Sequence, residues 1–297
     1  MTRHTSSGLI ARWLAVLGVG GLALAWGGPV QAGIITLTDH ETKVVLDDSS
    51  SRGIHEFSLS GTNTLYQEWF WFRTAGMNKE QALNAATLTG SQQVDARSWN
   101  GTYSDGQTWE VEVYLAVTGG VCCPIGDLAE SITIRNLSTT DPLRFTFIEY
   151  TDWDLSSDAD SDTSVVLAST PIPGFAVVQQ DGPTGYSRTS IVSPTSLSRY
   201  ELSTYANTLN KLNDGAVDDL ASPFPPPGNM AMLTGPADLT WAVQWDLNLA
   251  PGTSYIISKD KLVVGVPEPS TLGLLILVAP PALAVHAWRR GGRRASS

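Results

Sequence analysis

Five aspartates, Asp152, Asp154, Asp158, Asp160 and Asp162, fall within eleven residues, with Ser156 among them and Thr163 directly after. Carboxylates two apart on a loop converge readily on Ca²⁺, which takes about six to eight oxygen ligands. The EF-hand spacing is not met. Counted from Asp152, the sixth position is Ser157 rather than Gly and the twelfth is Thr163 rather than Glu. Counted from Asp158, the twelfth is Ser169. Two readings therefore stand: a Ca²⁺ loop, or a solvated acidic turn that keeps strand edges apart. No other cofactor is implied.

Acid–base and nucleophilic chemistry have thinner support. A glycosidase needs two carboxylates roughly 5 to 10 Å apart. Glu110 and Glu112 share a strand face at about 7 Å, and Glu149 lies near Asp152 in the chain. Alternating acids on an exposed strand face are ordinary, however. Between residues 33 and 265 there are two histidines, His40 and His55, and no Gly-x-Ser-x-Gly stretch. The expectation is a protein without catalytic residues. The alternatives are a secreted carbohydrate-active enzyme and a Ca²⁺-dependent carbohydrate-binding module. Aromatic rings stack on sugar faces. Trp109, Trp241 and Trp245 sit in the apolar phase of strong strands and read as core. Trp99, beside Asn100-Gly101, and Trp153, among aspartates, are the two expected at a ligand surface.

Cys122 and Cys123 are the only cysteines and are adjacent. Their Cα atoms stand about 3.8 Å apart across a trans peptide, whereas ordinary disulfides want about 4.4 to 6.8 Å. A strained vicinal disulfide, two thiols and an intermolecular bond all remain open. No His or Cys lies near with metal-ligand spacing.

The elements that must position these residues are strands. Residues 108–118 read as the clearest strand, with Trp109, Val111, Val113, Leu115 and Val117 on one face and Glu110, Glu112, Tyr114 and Ala116 on the other. Trp69-Phe70-Trp71-Phe72 is apolar on both faces and reads as a central strand. Residues 132–136, 143–151, 198–205, 239–249 and 254–264 read as further strands, and 175–180 with 185–192 as a hairpin. Residues 79–86, after Asn78 as N-cap, are the one helical expectation. Pro223 and Pro225 to Pro227 mark residues 221–228 as loop. About ten to thirteen short strands and little helix point to an all-β fold, an antiparallel β-sandwich.

Two terminal stretches bracket this part. Residues 1–32 carry Arg3 and Arg12, an apolar run from Trp13 to Trp26 and a break at Gly27-Gly28-Pro29. Val30-Gln31-Ala32 then ends in small residues. That is the grammar of a secretory signal peptide cleaved after Ala32. At the other end, Val266-Pro267-Glu268-Pro269-Ser270 precedes an apolar run, residues 271–288. As a helix the run would span about 27 Å, close to bilayer thickness. Arg289, Arg290, Arg293 and Arg294 follow it and would hold that end in the cytoplasm. The expected organisation is 1–32 signal peptide, 33–265 β-sandwich ectodomain, and 266–297 sorting signal with a single transmembrane helix.

The tail of residues 266–297 resembles the PEP-CTERM sorting signal, also known as the ice-binding protein C-terminal domain. Pro280-Pro281 departs from its usually uninterrupted apolar segment. The resemblance implies recognition of Pro267-Glu268-Pro269 by an exosortase. It further implies residence in the inner membrane with a periplasmic ectodomain, then sorting to the cell surface or the extracellular matrix of a biofilm. Residues 69–73, 147–155 and 249–261 also resemble a recurrent group of such proteins. Expected partners are the exosortase, the membrane through the C-terminal helix, and extracellular polysaccharide. The body between the two signals holds 12 basic and 28 acidic residues, a formal charge of −16. Such a charge argues against nucleic acid as a partner.

Overall fold

The computed structural model describes residues 32–121, 123–155, 162–168, 175–181, 185–192, 197–223, 229–235 and 237–265. The expected signal peptide before Ala32, Cys122, Asp158, Asp160 and the whole of 266–297, with its motif, apolar run and four arginines, lie outside these residues. Among the described residues no helix is long and apolar enough to cross a membrane.

In chain order the strands are β1 (Ile34–Asp39), β2 (Thr42–Asp47), β3 (Gly53–Leu59), β4 (Thr62–Asn63), β5 (Leu65–Thr74), β6 (Gln81–Ala82), β7 (Thr87–Gln93), β8 (Ser98–Ser104), β9 (Trp109–Gly119), β10 (Ile125–Asn136), β11 (Leu143–Trp153), β12 (Asp162–Ala168), β13 (Phe175–Asp181), β14 (Gly185–Val192), β15 (Arg199–Thr204), β16 (Ser222–Pro223), β17 (Met230–Thr234), β18 (Leu239–Leu249) and β19 (Ser254–Gly265). One α-helix, α1 (Asn207–Asn213), follows β15. The protein is all-β, in two sheets. The first runs β1-β2-β3-β5-β11-β18-β15-β16, with β4 beside β3 and β6 beside β5. The second runs β17-β12-β13-β14-β19-β10-β9-β8-β7. Pairing is antiparallel except for a short parallel contact of β3 with β5 at Glu68.

Strand patterning follows position in the sheet. In β9, Trp109, Val111, Val113, Leu115 and Val117 are buried, while Tyr114 and Thr118 are exposed. One face therefore meets the core and the other meets water. β11 lies between β5 and β18 in the first sheet. Its residues from Phe145 to Trp153, Thr146 excepted, are buried, which is why this stretch and Trp69 to Phe72 lack alternation. The core between the sheets is aromatic: Phe70 stacks on Phe147, and Phe145 packs between Phe72 and Trp109. The chain passes from one sheet to the other several times, and two of these connections are fixed by local chemistry. Between β10 and β11, the buried Asn136 donates to the carbonyls of Asp141, Leu249 and Ala250 at 2.9, 3.1 and 3.2 Å. Between β18 and β19, the turn at Ala250-Pro251-Gly252 needs Gly252 at φ +68°, a region glycine enters without steric cost.

Three local expectations are corrected. Residues 79–86 do not form an α-helix. Gln81 and Ala82 pair with Phe72 and Trp71 along β5, and Leu83–Ala85 make one 3₁₀ turn. β3 touches β5 only at Glu68, so the edge of β5 beyond it needs a backbone partner, and that need outweighs a weak local helix preference. The helix present instead, α1, buries Thr208 and Leu212, and its Asn213 accepts a hydrogen bond from the indole of Trp71 at 3.3 Å. Trp99 and Trp153 are not at a surface, since both are fully buried. Trp99 donates to Ser91 at 3.0 Å, and Trp153 packs edge-on against Phe57 at 5.6 Å.

The core also holds five charged side chains with no exposure: Glu68 (β5), Glu149 (β11), Glu130 (β10), Lys259 and Lys261 (β19). The first two belong to one sheet and the other three to the opposite sheet. The Lys259 ammonium lies 2.7 Å from Glu130 and 2.7 Å from Glu149. The Lys261 ammonium lies 2.6 Å from Glu130 and 2.8 Å from Glu149 and hydrogen-bonds Glu68. Lys259 also sits 4.7 Å over the ring of Phe70.

Candidate functional site

At one end of the first sheet three carboxylates converge. Asp152 lies near the end of β11, Asp154 directly after that strand, and Asp238 directly before β18. One carboxylate oxygen from each falls within 4.8 Å of the others. The register makes this meeting: Asp152 pairs with Thr240 across β11 and β18, so continuing the ladder brings Asp154 opposite Asp238. Asp152 is buried, while Asp154 and Asp238 are partly exposed. Backbone bonds hold both flanks. The amide of Asp154 donates to the carbonyl of Thr64 at 3.0 Å, and the amide of Tyr205 donates to the carbonyl of Asp238 at 3.0 Å.

Behind the carboxylates, Tyr150 is buried and its hydroxyl donates to Asp152 at 3.2 Å. Burial first, and the Asp152 charge second, push its phenol far up, so it stays a donor. In front of them, Tyr66 and Tyr205 are 48% and 43% exposed. Their rings meet edge to face at 5.5 Å and their hydroxyls stand 3.4 Å apart. The Tyr205 hydroxyl is pushed up to about 12, mainly by its hydrogen bond with Tyr66, with burial next and the charges of Asp152 and Asp238 adding to it. The tyrosine pair and the carboxylates therefore share one electrostatic neighbourhood. Chemically, the arrangement presents two wet aromatic rings beside several closely spaced acceptors, of which two reach water. Rings of this kind stack on sugar faces and carboxylates accept sugar hydroxyls.

Of the aspartates singled out in the sequence, Asp152 and Asp154 belong to this site. Asp162 opens β12, where its backbone pairs with Asp181. Asp238, Tyr66 and Tyr205 escaped sequence reading. The acid stands 86 positions from Asp152, and the two tyrosines, 139 positions apart, meet only in the folded chain. Glu110 and Glu112, the other carboxylates on one strand face, point away from any such site. Glu110 pairs with Arg135 at 2.8 Å and Glu112 accepts from Asn100 at 2.6 Å. Cys123 is exposed on the connection between β9 and β10.

No known family profile matches the chain, and no characterised protein matches it in sequence. In fold it is similar to a bacterial glucoamylase solved with acarbose, with 10% identity and a TM-score of 0.51, covering 88% of this chain and 37% of that one. It is also similar to a polysaccharide lyase, with 13% identity, a TM-score of 0.46 and coverages of 79% and 34%. A putative kojibiose phosphorylase from the human microbiome matches with 10% identity, a TM-score of 0.41 and coverages of 82% and 32%. The chain spans about a third of the length of each structure. The glucoamylase likeness is one of fold, and the two weaker ones carry no argument beyond it. The glucoamylase likeness runs against the expectation of a non-enzymatic protein, and what it shows is the fold alone.

Proposed function

We propose that this chain is the β-sandwich part of a carbohydrate-active enzyme, and that it engages glycan at the strand-end site. The observation that carries this reading is the exposed Tyr66–Tyr205 pair beside three carboxylates whose oxygens lie within 4.8 Å of one another. In this reading the tyrosine rings hold the sugar. Asp154 and Asp238, the members that reach water, serve as general acid/base and nucleophile. Asp152, fixed by Tyr150, keeps the pair in place. The closeness of the carboxylates suits the short spacing of retaining glycosidases, about 5 to 5.5 Å, better than the wider inverting spacing of about 6.5 to 9.5 Å.

The test incubates the full chain with a panel of α- and β-glucans and acidic polysaccharides, scoring retention by affinity electrophoresis and cleavage by new reducing ends. The expected pattern is retention and cleavage of at least one glycan. Tyr66→Ala and Tyr205→Ala weaken retention, while Asp154→Asn and Asp238→Asn stop cleavage and leave retention. A native chain that neither retains nor shortens any glycan overturns the proposal. A second reading of the same site, Ca²⁺-dependent glycan binding, is favoured by the convergence of the three carboxylates, and loss of retention on adding chelator would select it.

The terminal stretches support an itinerary as well: export directed by residues 1–32, membrane tethering through 271–288, and exosortase recognition of Val266 to Ser270. The matrix polysaccharide of the producing cell is then the nearest candidate substrate. Fractionation of cells tests this route. Recovery of the intact chain from the cytosol, with both ends uncut and no membrane association, overturns it.

A further inference from the structure

The buried cluster of three glutamates and two lysines is independent of the strand-end site and calls for its own account. Taking five charges out of water is a poor route to stability, because well-packed apolar side chains of the same volume usually do as well or better. The cluster also joins the two sheets at their centre. Glu68 and Lys261 are 193 positions apart, on strands of opposite sheets, and their side chains have no exposure.

We propose that Lys261 and Glu68 condense to an amide, a covalent cross-link that the folded chain forms within its own core. The Lys261 amine hydrogen-bonds a Glu68 carboxyl oxygen. Two proton acceptors stand beside it, Glu130 at 2.6 Å and Glu149 at 2.8 Å. The ammonium gives one proton to either of these carboxylates, and its freed electron pair attacks the carboxyl carbon of Glu68. The new C–N bond forms and the C–OH bond breaks. The hydroxyl leaves with a second amine proton as water. No oxidant, reductant or further reactant is needed.

Glu68 is suited to the electrophilic role. Burial, with the charge of Glu130 next, raises its proton affinity to about 8, so it is held as the neutral acid rather than as a carboxylate that would repel attack. The same carboxylates hold the Lys261 ammonium firmly, so its deprotonation limits the rate. One turnover per chain suffices, and fixed contact supplies a large effective concentration. Complete burial of the five side chains favours condensation over hydrolysis and protects the product. The charges also close. Before reaction, two ammoniums face two carboxylates and one acid. Afterwards Lys259, 2.7 Å from both Glu130 and Glu149, balances one carboxylate while the other keeps the transferred proton. Three carboxylates are thus needed for two lysines: one becomes the amide, one takes the proton, and one remains as counter-ion.

The experiment is mass spectrometry of the full chain purified from its folded state, denatured and digested with trypsin. The expected result is a branched peptide in which the segment carrying Glu68 is joined to the segment carrying Lys261, lighter than their sum by one water, about 18 Da. Fragmentation places the bond on those two side chains. Glu68→Ala and Lys261→Met abolish the branched species. Should either variant fail to fold, the natural chain alone still decides. Recovery of the two segments only as separate linear peptides overturns the proposal, and so does a bond placed on Glu130 or Glu149.

Discussion

Replacing Lys259 by Met removes one ammonium from between two buried carboxylates while nearly keeping the side chain's length and apolar stem. In the chain before the Lys261–Glu68 amide forms, Glu130 is held down to about 2, from an ordinary value of 4.5. Burial opposes this, and Lys259 followed by Lys261 outweighs the burial. Without Lys259 one glutamate must take up a proton to remain buried. Protonating a carboxyl of ordinary affinity at pH 7 costs about 3.5 kcal/mol, from about 2.5 pH units at about 1.4 kcal/mol each. That agrees with the roughly 3 to 5 kcal/mol seen when one partner of a buried ion pair is removed. For a domain of this size it corresponds to a fall in Tm of about 7 to 14 °C. The sign with pH follows. Glu130 has a depressed folded value, so its contribution to native stability is present above the unfolded value of 4.5 and is lost as pH falls through about 2. In the variant that contribution is gone, and the proton it needs becomes easier to supply as pH falls. The gap between natural and variant chains is therefore widest at pH 7 and narrows to about 1 kcal/mol at pH 5. Urea denaturation at both pH values measures it. A gap below about 1 kcal/mol at pH 7, or one equal at the two pH values, refutes the reasoning. Adding Glu130→Gln to the variant should recover most of the loss, because the orphaned charge is then absent.

Other perturbations test the fold and the surface. Asp127 lies beside Asp260 on the solvent side of β10 and β19, and burial with that neighbouring charge raises it to about 6. Its contribution to stability is present below about 4 and is lost as pH rises through 6, so Asp127→Asn should flatten the stability profile of the native chain in that window. Thermal melts from pH 4 to 7 follow it, and an unchanged slope counts against a shared proton. Gly119→Ala would place its Cβ 2.0 Å from the carbonyl oxygen of Asp39. Backbone must then move, and a loss of about 2 kcal/mol or more in a denaturant titration is expected. Trp99→Ala empties a fully buried site and should cost about 3 to 5 kcal/mol. Because the ring does not reach solvent, glycan retention measured on the folded fraction should be unchanged.

The hairpin of β13 and β14, the turn at Ala250 to Gly252 and the alternation of β9 were all legible in the sequence. Each rests on interactions between residues close in the chain, whose period and turn chemistry are local properties. The candidate site was half legible. Asp152 and Asp154 stood out as an acidic loop, but Asp238 joins them only through the register of β11 against β18. Trp99 and Trp153 were misplaced because proximity to Asn-Gly or to aspartate says nothing about which way a strand faces. The buried charges left a faint trace. Glu130 shares a phase with Leu128 and Ile132, and Lys259 and Lys261 share one with Ile257 and Val263. A charge in the inward phase becomes interpretable only once the opposite sheet supplies its partner.

By itself the sequence determined the strand-rich character of the chain and the acidity of its body, because period-2 patterning and charge need no knowledge of distant residues. Only the tertiary structure decided which sheet each strand joined, that Tyr66, Tyr205 and three aspartates share one edge, and that lysines from one sheet reach glutamates of both. These are contacts between residues far apart in the chain. Their geometry is set by sheet register and by the stacking of one sheet on the other, neither of which is written in any single segment.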